Sequence, residues 1–225
     1  MSNVHILKAT YDVKKSVVPE RTSEASRGKP WAARDGAAIE MDWRQALAIE
    51  GRVFCFNLGN VTTSVAGKAA DIQQPQIAIR NQVSSGVAMI PIEAHIYCED
   101  TVDNTATELI VACASIDIGN GTSTAGVIQN MKSGAGGSSL YARYTYSGAG
   151  TAAVWGTNYW ELQRTGALYD VAEDSMLEPE LHYMPEVSPI LVPPSTFYLF
   201  WGGTASVTAY ATAIWAEIPL GAITV

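Results

Sequence analysis

The stretch from Gly86 to Glu99 constrains the fold most. Ala88, Ile90, Ile92, Ala94, Ile96 and Cys98 alternate with Pro91, Glu93, His95 and Tyr97. A period of two, held over this length, puts the apolar set on one face of a strand and Glu93, His95 and Tyr97 on the other. No helix can sort these residues that way.

From Arg52 onward the same style recurs between breakers. Arg52–Leu58 is an aromatic-rich run stopped by Gly59-Asn60, and Gln76–Asn81 follows Pro75. Glu108–Ile118 sets Ile110, Ala112, Ala114, Ile116 and Ile118 on one face, and pairs naturally with Gly86–Glu99 as a long antiparallel couple. Ala125–Met131 is a weak strand. Leu140–Tyr146 places Leu140, Ala142, Tyr144 and Tyr146 together, and Asn158–Arg164 adds another strand. Residues 170–188 carry Asp170, Glu173, Asp174, Glu178, Glu180 and Glu186 with Pro179 and Pro185, and read as an acidic surface loop holding at most one helical turn. About eight strands with turn signals every 8–12 residues or so give an all-β sandwich, for which an eight-stranded jelly roll is the first choice and an immunoglobulin-like sandwich the second. No internal repeat of 20–50 residues points to a propeller or solenoid.

Two segments precede the strands. Residues 1–34 read as an extended arm, broken at Pro19 and Pro30, yet Val4, Ile6, Leu7, Tyr11, Val13, Val17 and Val18 are too apolar for a free tail. Such an arm packs on its own domain or on a neighbouring copy. Residues 35–50 suit a helix with Asp35 as cap, Ile39, Trp43 and Leu47 on one stripe, and Gly51 as stop. Ala38–Trp43 also alternates like a strand. The resulting division is an arm over 1–34 and a single sandwich domain over 35–225.

Charge follows that division. The chain carries −8 overall, but residues 1–30 hold six basic side chains against three acidic ones, so +3 sits there and −11 on the remainder. A mildly basic arm on an acidic body suits contacts between copies and is too weak to indicate nucleic acid. No apolar run approaches the roughly 20 residues that span a membrane, and Met1–Lys8 lacks the pattern of a secretory signal. Cys55, Cys98 and Cys113 each lie in an apolar run without a CxxC or Cys/His cluster. Three buried thiols fit a reducing cytosol, and one disulfide with one free thiol also fits the count.

The run Pro189–Pro219 reads as strand, turn, strand, with Gly202-Gly203 as the turn and Pro193-Pro194 as the start. In its second half Tyr210, Ile214 and Ile218 share one face and Val207, Ala209, Ala211, Ala213 and Trp215 the other, so the strand is apolar on both sides and belongs mid-sandwich or under a neighbouring subunit. Val192-Pro-Pro-Ser-Thr196, the aromatic strand after it and Ala213-Ile-Trp-Ala-Glu-Ile-Pro219 resemble the last two strands of jelly-roll virion proteins, especially small capsid or decoration (cement) proteins of tailed phages. The resemblance covers this segment and, loosely, the all-β layout of 52–219. It implies a virion structural protein, made in the host cytoplasm, that self-associates as a trimer or within a symmetric shell beside another capsid protein.

Catalytic constellations are scarce. His5, His95 and His182 are far apart in sequence. A cupin-like metal site needs two nearby His plus a Glu, and Glu93-Ala94-His95 supplies half of one; a surface Glu–His pair is the favoured reading. There is no G-x-S-x-G, and Gly134–Gly137 lacks the Lys-Ser/Thr of a phosphate loop and reads as a mobile tip. Glu99, Asp100 and Asp103, and Asp117 before Gly119-Asn120-Gly121, miss the EF-hand spacing and read as solvated loops. No cofactor or metal is expected, and no enzyme. The candidate interface is Tyr11, Val17, Val18, Trp31, Trp155, Tyr159, Trp160 and Trp201. A carbohydrate-binding or host-attachment module using the Trp155/Tyr159/Trp160 cluster is the alternative. Alternation forces Tyr159 and Trp160 to opposite faces.

Overall fold

Two six-stranded antiparallel sheets face each other in the structure, a computed structural model that describes residues 42–59, 64–67, 71, 73–100, 106–148, 150–151, 157–168, 180–203 and 207–223. A short helix, α1 (Trp43–Ile49), precedes β1 (Val53–Leu58), β2 (Val65–Ala66), β3 (Ile77–Asn81), β4 (Val87–Asp100), β5 (Ala106–Ala114), β6 (Thr122–Ala125), β7 (Gln129–Asn130), β8 (Tyr141–Gly148), β9 (Tyr159–Leu168), β10 (Glu180–Tyr183), β11 (Ser195–Gly203) and β12 (Thr208–Pro219). The expected arm, with Tyr11, Val17, Val18 and Trp31, lies outside the described residues, as does Trp155.

The first sheet runs β10-β4-β12-β1-β7, with β2 also on β12; the second runs β6-β8-β3-β11-β5-β9. Pairing proceeds as if the chain were folded in half. β1 joins β12, β3 joins β11, β4 joins β10 and β5 joins β9, and the two sheets are completed by β12 on β4 and β11 on β5. Two expectations are corrected here. The runs around Gly202-Gly203 do not pair with each other: β11 lies at the centre of one sheet and β12 at the centre of the other. Likewise β4 and β5 are in opposite sheets. Both apolar couples had been matched by hydrophobicity, but strands that each need a covered inner face can meet face to face across the core as well as edge to edge.

The main core fills the gap between sheets. Phe54, Phe56 and Leu58 of β1, Ile77 and Ile79 of β3, Leu109, Val111 and Cys113 of β5, Phe197, Leu199 and Trp201 of β11, and Ala209, Ala211, Ala213 and Trp215 of β12 are buried there. Phe54 stacks on Trp215 at 6.3 Å between ring centres. The split expected for β12 is therefore observed.

Each sheet is apolar on its outer side too, and the chain covers both sides itself. On the first sheet Leu47 and Ala48 of α1 close over Val53, Ile90, Ile92 and Ala216. The helix is capped by Asp42, whose side chain accepts from the Arg44 amide at 2.7 Å, in place of Asp35, which lies outside the described residues. Gly51, at φ +75°, ends it as expected. On the second sheet Ala78, Ile110, Ala112, Ala114, Tyr198 and Phe200 meet Ile116, Ile118, Tyr146 and Tyr159. The segment after β5 folds back there, and Thr196 Oγ1 holds it by accepting from the Ile118 amide at 3.1 Å and donating to the Ile116 carbonyl at 2.8 Å.

Two breaks in alternation explain where the expected faces fail. β4 against β12 slips at Ile92, since Glu93 faces Ile214 and Pro91 faces Trp215. Across this bulge Met89 joins Ala94, Ile96 and Cys98 in the main core, while Ile90 and Ile92 turn out beneath α1. On β8, Thr145 takes a left-handed φ of +48°. Leu140 and Ala142 therefore face the main core, with Tyr144 packed on it, and Tyr146 goes to the outer cluster.

All three cysteines are free thiols, Cys98 and Cys113 fully buried. Burial pushes the Cys113 thiol well up.

Candidate functional site

Of the expected interface residues that are described, two are interior. Trp201 has no exposed surface; its amide donates to Gln76 Oε1 and its indole Nε1 to the Val65 carbonyl, both at 3.1 Å. Tyr159 packs against Tyr198 in the outer cluster, and burial raises its hydroxyl pKa. Trp160 points the other way and keeps 37% of its surface exposed, so the forecast of opposite faces holds and no shared aromatic platform exists between the two.

The acidic candidates also change. Asp117 is no solvated loop residue. Arg80, 3% exposed, donates through Nε to Asp117 Oδ1 at 2.6 Å and through Nη2 to Oδ2 at 2.7 Å, with Asn120 accepting from Nη1. Both carboxylate oxygens are thereby taken by a fork-on-fork pair. Glu99 accepts from the Tyr210 hydroxyl at 3.1 Å. The Gly134–Gly137 tip is tied down around its base. Asn130 Nδ2 donates to the Gly51 and Gly136 carbonyls, each at 2.8 Å, and buried Glu217 accepts from Ser138 Oγ and from the Ser139 amide at 2.9 Å.

The histidines are found in exposed Glu–His pairs made across two strands. β10 falls inside 170–188, so that segment is not loop throughout. Its Glu180-Leu181-His182 repeats the Glu93-Ala94-His95 of β4, antiparallel to it, with His182 directly opposite His95. The rings meet edge to face at 5.6 Å. Each glutamate lies diagonally from the other strand's histidine, giving His95 Nε2–Glu180 Oε1 at 2.6 Å and His182 Nε2–Glu93 Oε1 at 2.9 Å. Sequence reasoning missed Glu180 and His182 because the surrounding acids and prolines masked a four-residue strand. The repeated Glu-x-His was the available signal.

The third feature is apolar. Between β10 and β11, Met184, Val187, Ile190 and Val192 stand exposed, Val187 at 87%. Leu191, by contrast, is buried and bridges Met89 of β4 through two backbone hydrogen bonds. Asn81 donates to the Val87 and Leu191 carbonyls, which sets the turn bearing exposed Val83 beside this row. Arg44 Nη2 of α1 donates to the Pro185 carbonyl at 3.0 Å, so the start of α1 is held next to it. A cleft of about 390 Å³ opens elsewhere, between Phe56, Asn57, Val65, Val127 and Tyr144.

No family model, curated protein or solved structure matches the chain.

Proposed function

We propose that the protein is a non-enzymatic structural subunit of a virion, a capsid decoration or coat protein that works by self-association. The observation that carries this reading is the exposed row Met184, Val187, Ile190 and Val192 beside the start of α1. Large apolar side chains held out by a fastened segment favour a surface that another chain covers, each contact excluding water at roughly 25 cal/mol per Å² of apolar area. The occupant is residues 1–41 of a neighbouring copy. Forty-one residues can reach about 150 Å at most, far beyond one domain. The arm is basic over 1–30, the body is acidic, and Glu186 lies within the row.

The strand order lends support by analogy. Strands paired as if the chain were folded in half, in two sheets, favour a jelly-roll reading of this all-β sandwich. Fold alone does not assign function, and the arm-and-row arrangement is what adds the shell role. The apolar outer faces of the two sheets no longer contribute to it, because α1 and the 115–121 segment cover them.

Light scattering on the full chain and on a chain lacking residues 1–30 tests the proposal. The full chain is expected as a closed oligomer or larger shells, and the shortened one as a folded protein with fewer chains per particle. The same number of chains per particle in both proteins at every concentration would overturn the role of the arm.

A further inference from the structure

One stretch of the arm alternates strictly. Leu7-Lys-Ala-Thr-Tyr-Asp-Val-Lys14 sets Leu7, Ala9, Tyr11 and Val13 against Lys8, Thr10, Asp12 and Lys14. A run of this length in period two reads as a half-buried strand, which needs a sheet edge to pair with and an apolar surface behind that edge. The edges among the described residues are unequal. β9 sets Glu161 and Arg164 along its edge and bulges at Leu162, two devices that keep further strands away. β10 carries the Glu–His pairs, and β6 is mostly exposed Thr and Ser. β1 differs. Its ladder with β7 covers only Phe54 and Cys55, just past the bond from the Met131 amide to the Val53 carbonyl at 2.9 Å. Backbone groups alternate sides along a strand, so Val53, Cys55 and Asn57 all face away from β12, and Asn57 does so beyond the end of the ladder.

We infer that Leu7–Lys14 of a neighbouring copy adds as a strand to this open edge of β1, with Tyr11 and Val13 entering the cleft behind it. In the register of β1 with β7, Val127 would come next opposite Asn57, but the two part there. Between them opens the cleft of about 390 Å³, walled by Phe56, Leu58, Val65 and Tyr144. Among the described residues no charged side chain lines it. The Phe56 and Tyr144 rings stand 6.0 Å apart, and a third aromatic ring packs well against such a pair. Main-chain hydrogen bonds to Asn57 supply the attachment and the apolar face of the strand supplies the register, as in strand addition generally. The polar face then lies on the outer side of the sheet, where Thr212 donates to Asn57 Oδ1 at 2.8 Å. Reach is sufficient. The 27 residues from Lys15 to Met41 span about 97 Å at most. The copy that supplies the strand rests on the shell reading; the edge that receives it does not.

Hydrogen exchange at the Asn57 amide of the full chain tests the added strand. The amide should exchange about tenfold or more slowly in the native chain than in Tyr11→Asp or Val127→Asp, one variant striking the strand and the other the cleft. Circular dichroism of both variants serves as the folding control. An Asn57 amide that exchanges equally fast in all three proteins overturns the strand addition. A short bis-maleimide then identifies the donor copy, in a Cys55→Ser background so that the half-exposed native thiol does not compete. Chains carrying Val13→Cys mixed with chains carrying Val127→Cys should yield a crosslinked dimer. Crosslinking only within chains that carry both substitutions overturns exchange between copies and keeps the edge. Crosslinking in neither arrangement overturns the placement in the cleft.

Discussion

Two polar clusters sit on the outer sides of the two sheets, and they are built oppositely. Arg80 and Asp117 form a single bidentate pair at the bottom of the second sheet's outer cluster, with the guanidinium almost wholly buried. Glu93, His95, Glu180 and His182 form two single-bonded pairs on the open side of the first. Burial raises the strength of each interaction and the cost of breaking it, whereas exposure leaves both small. The first cluster is therefore committed to the fold, since its partners have nowhere else to go. The second is cheap to rearrange.

Removing one partner tests this contrast most severely. Asp117→Ala leaves the Arg80 charge buried without its counter-ion and should cost about 3 kcal/mol, read as a lower urea midpoint at constant slope. Glu217 is an intermediate case, a buried carboxylate held by donors. Glu217→Ala orphans the Ser138 hydroxyl, the Ser139 amide and the Trp215 indole N–H, 3.2 Å away, and should cost about 2 kcal/mol. In the open cluster Glu180→Gln should shift stability by less than about 1 kcal/mol. A loss as large as that of Asp117→Ala would erase the distinction between the clusters. The smallest effect is that of salt. Raising ionic strength to about 1 M should leave the Arg80 contribution in place, as a double-mutant cycle at each salt would report.

The sequence made the strands legible because alternation is a local property. The all-β class, the faces of β12 and the opposite orientation of Tyr159 and Trp160 all follow from a period of two. Pairing was not legible, since β1 and β12 are more than 150 residues apart and apolarity alone matches any strand to any other. Trp201 looked like a surface residue at a turn. Its indole is buried because β2, two residues long, supplies the Val65 carbonyl from a stretch with no strand signal. Pro91 beside Ile92 was the available signal of the bulge, whereas the left-handed Thr145 inverted a face without any Gly or Pro to announce it. Asp117 read as a loop acid because its partner Arg80 is 37 positions away.

The crossing of β11 and β12 into separate sheets has a consequence for biosynthesis. Each sheet receives its central strand from the last thirty or so positions described, so neither can close while those positions are still inside the ribosome. Translation proceeds at about 5–20 residues per second, and until it passes Pro219 the nascent chain carries β1 and β4 with the β12 gap between them unfilled. The domain therefore cannot close before β12 has left the ribosome, and exposed strand edges until then set its demand on chaperones.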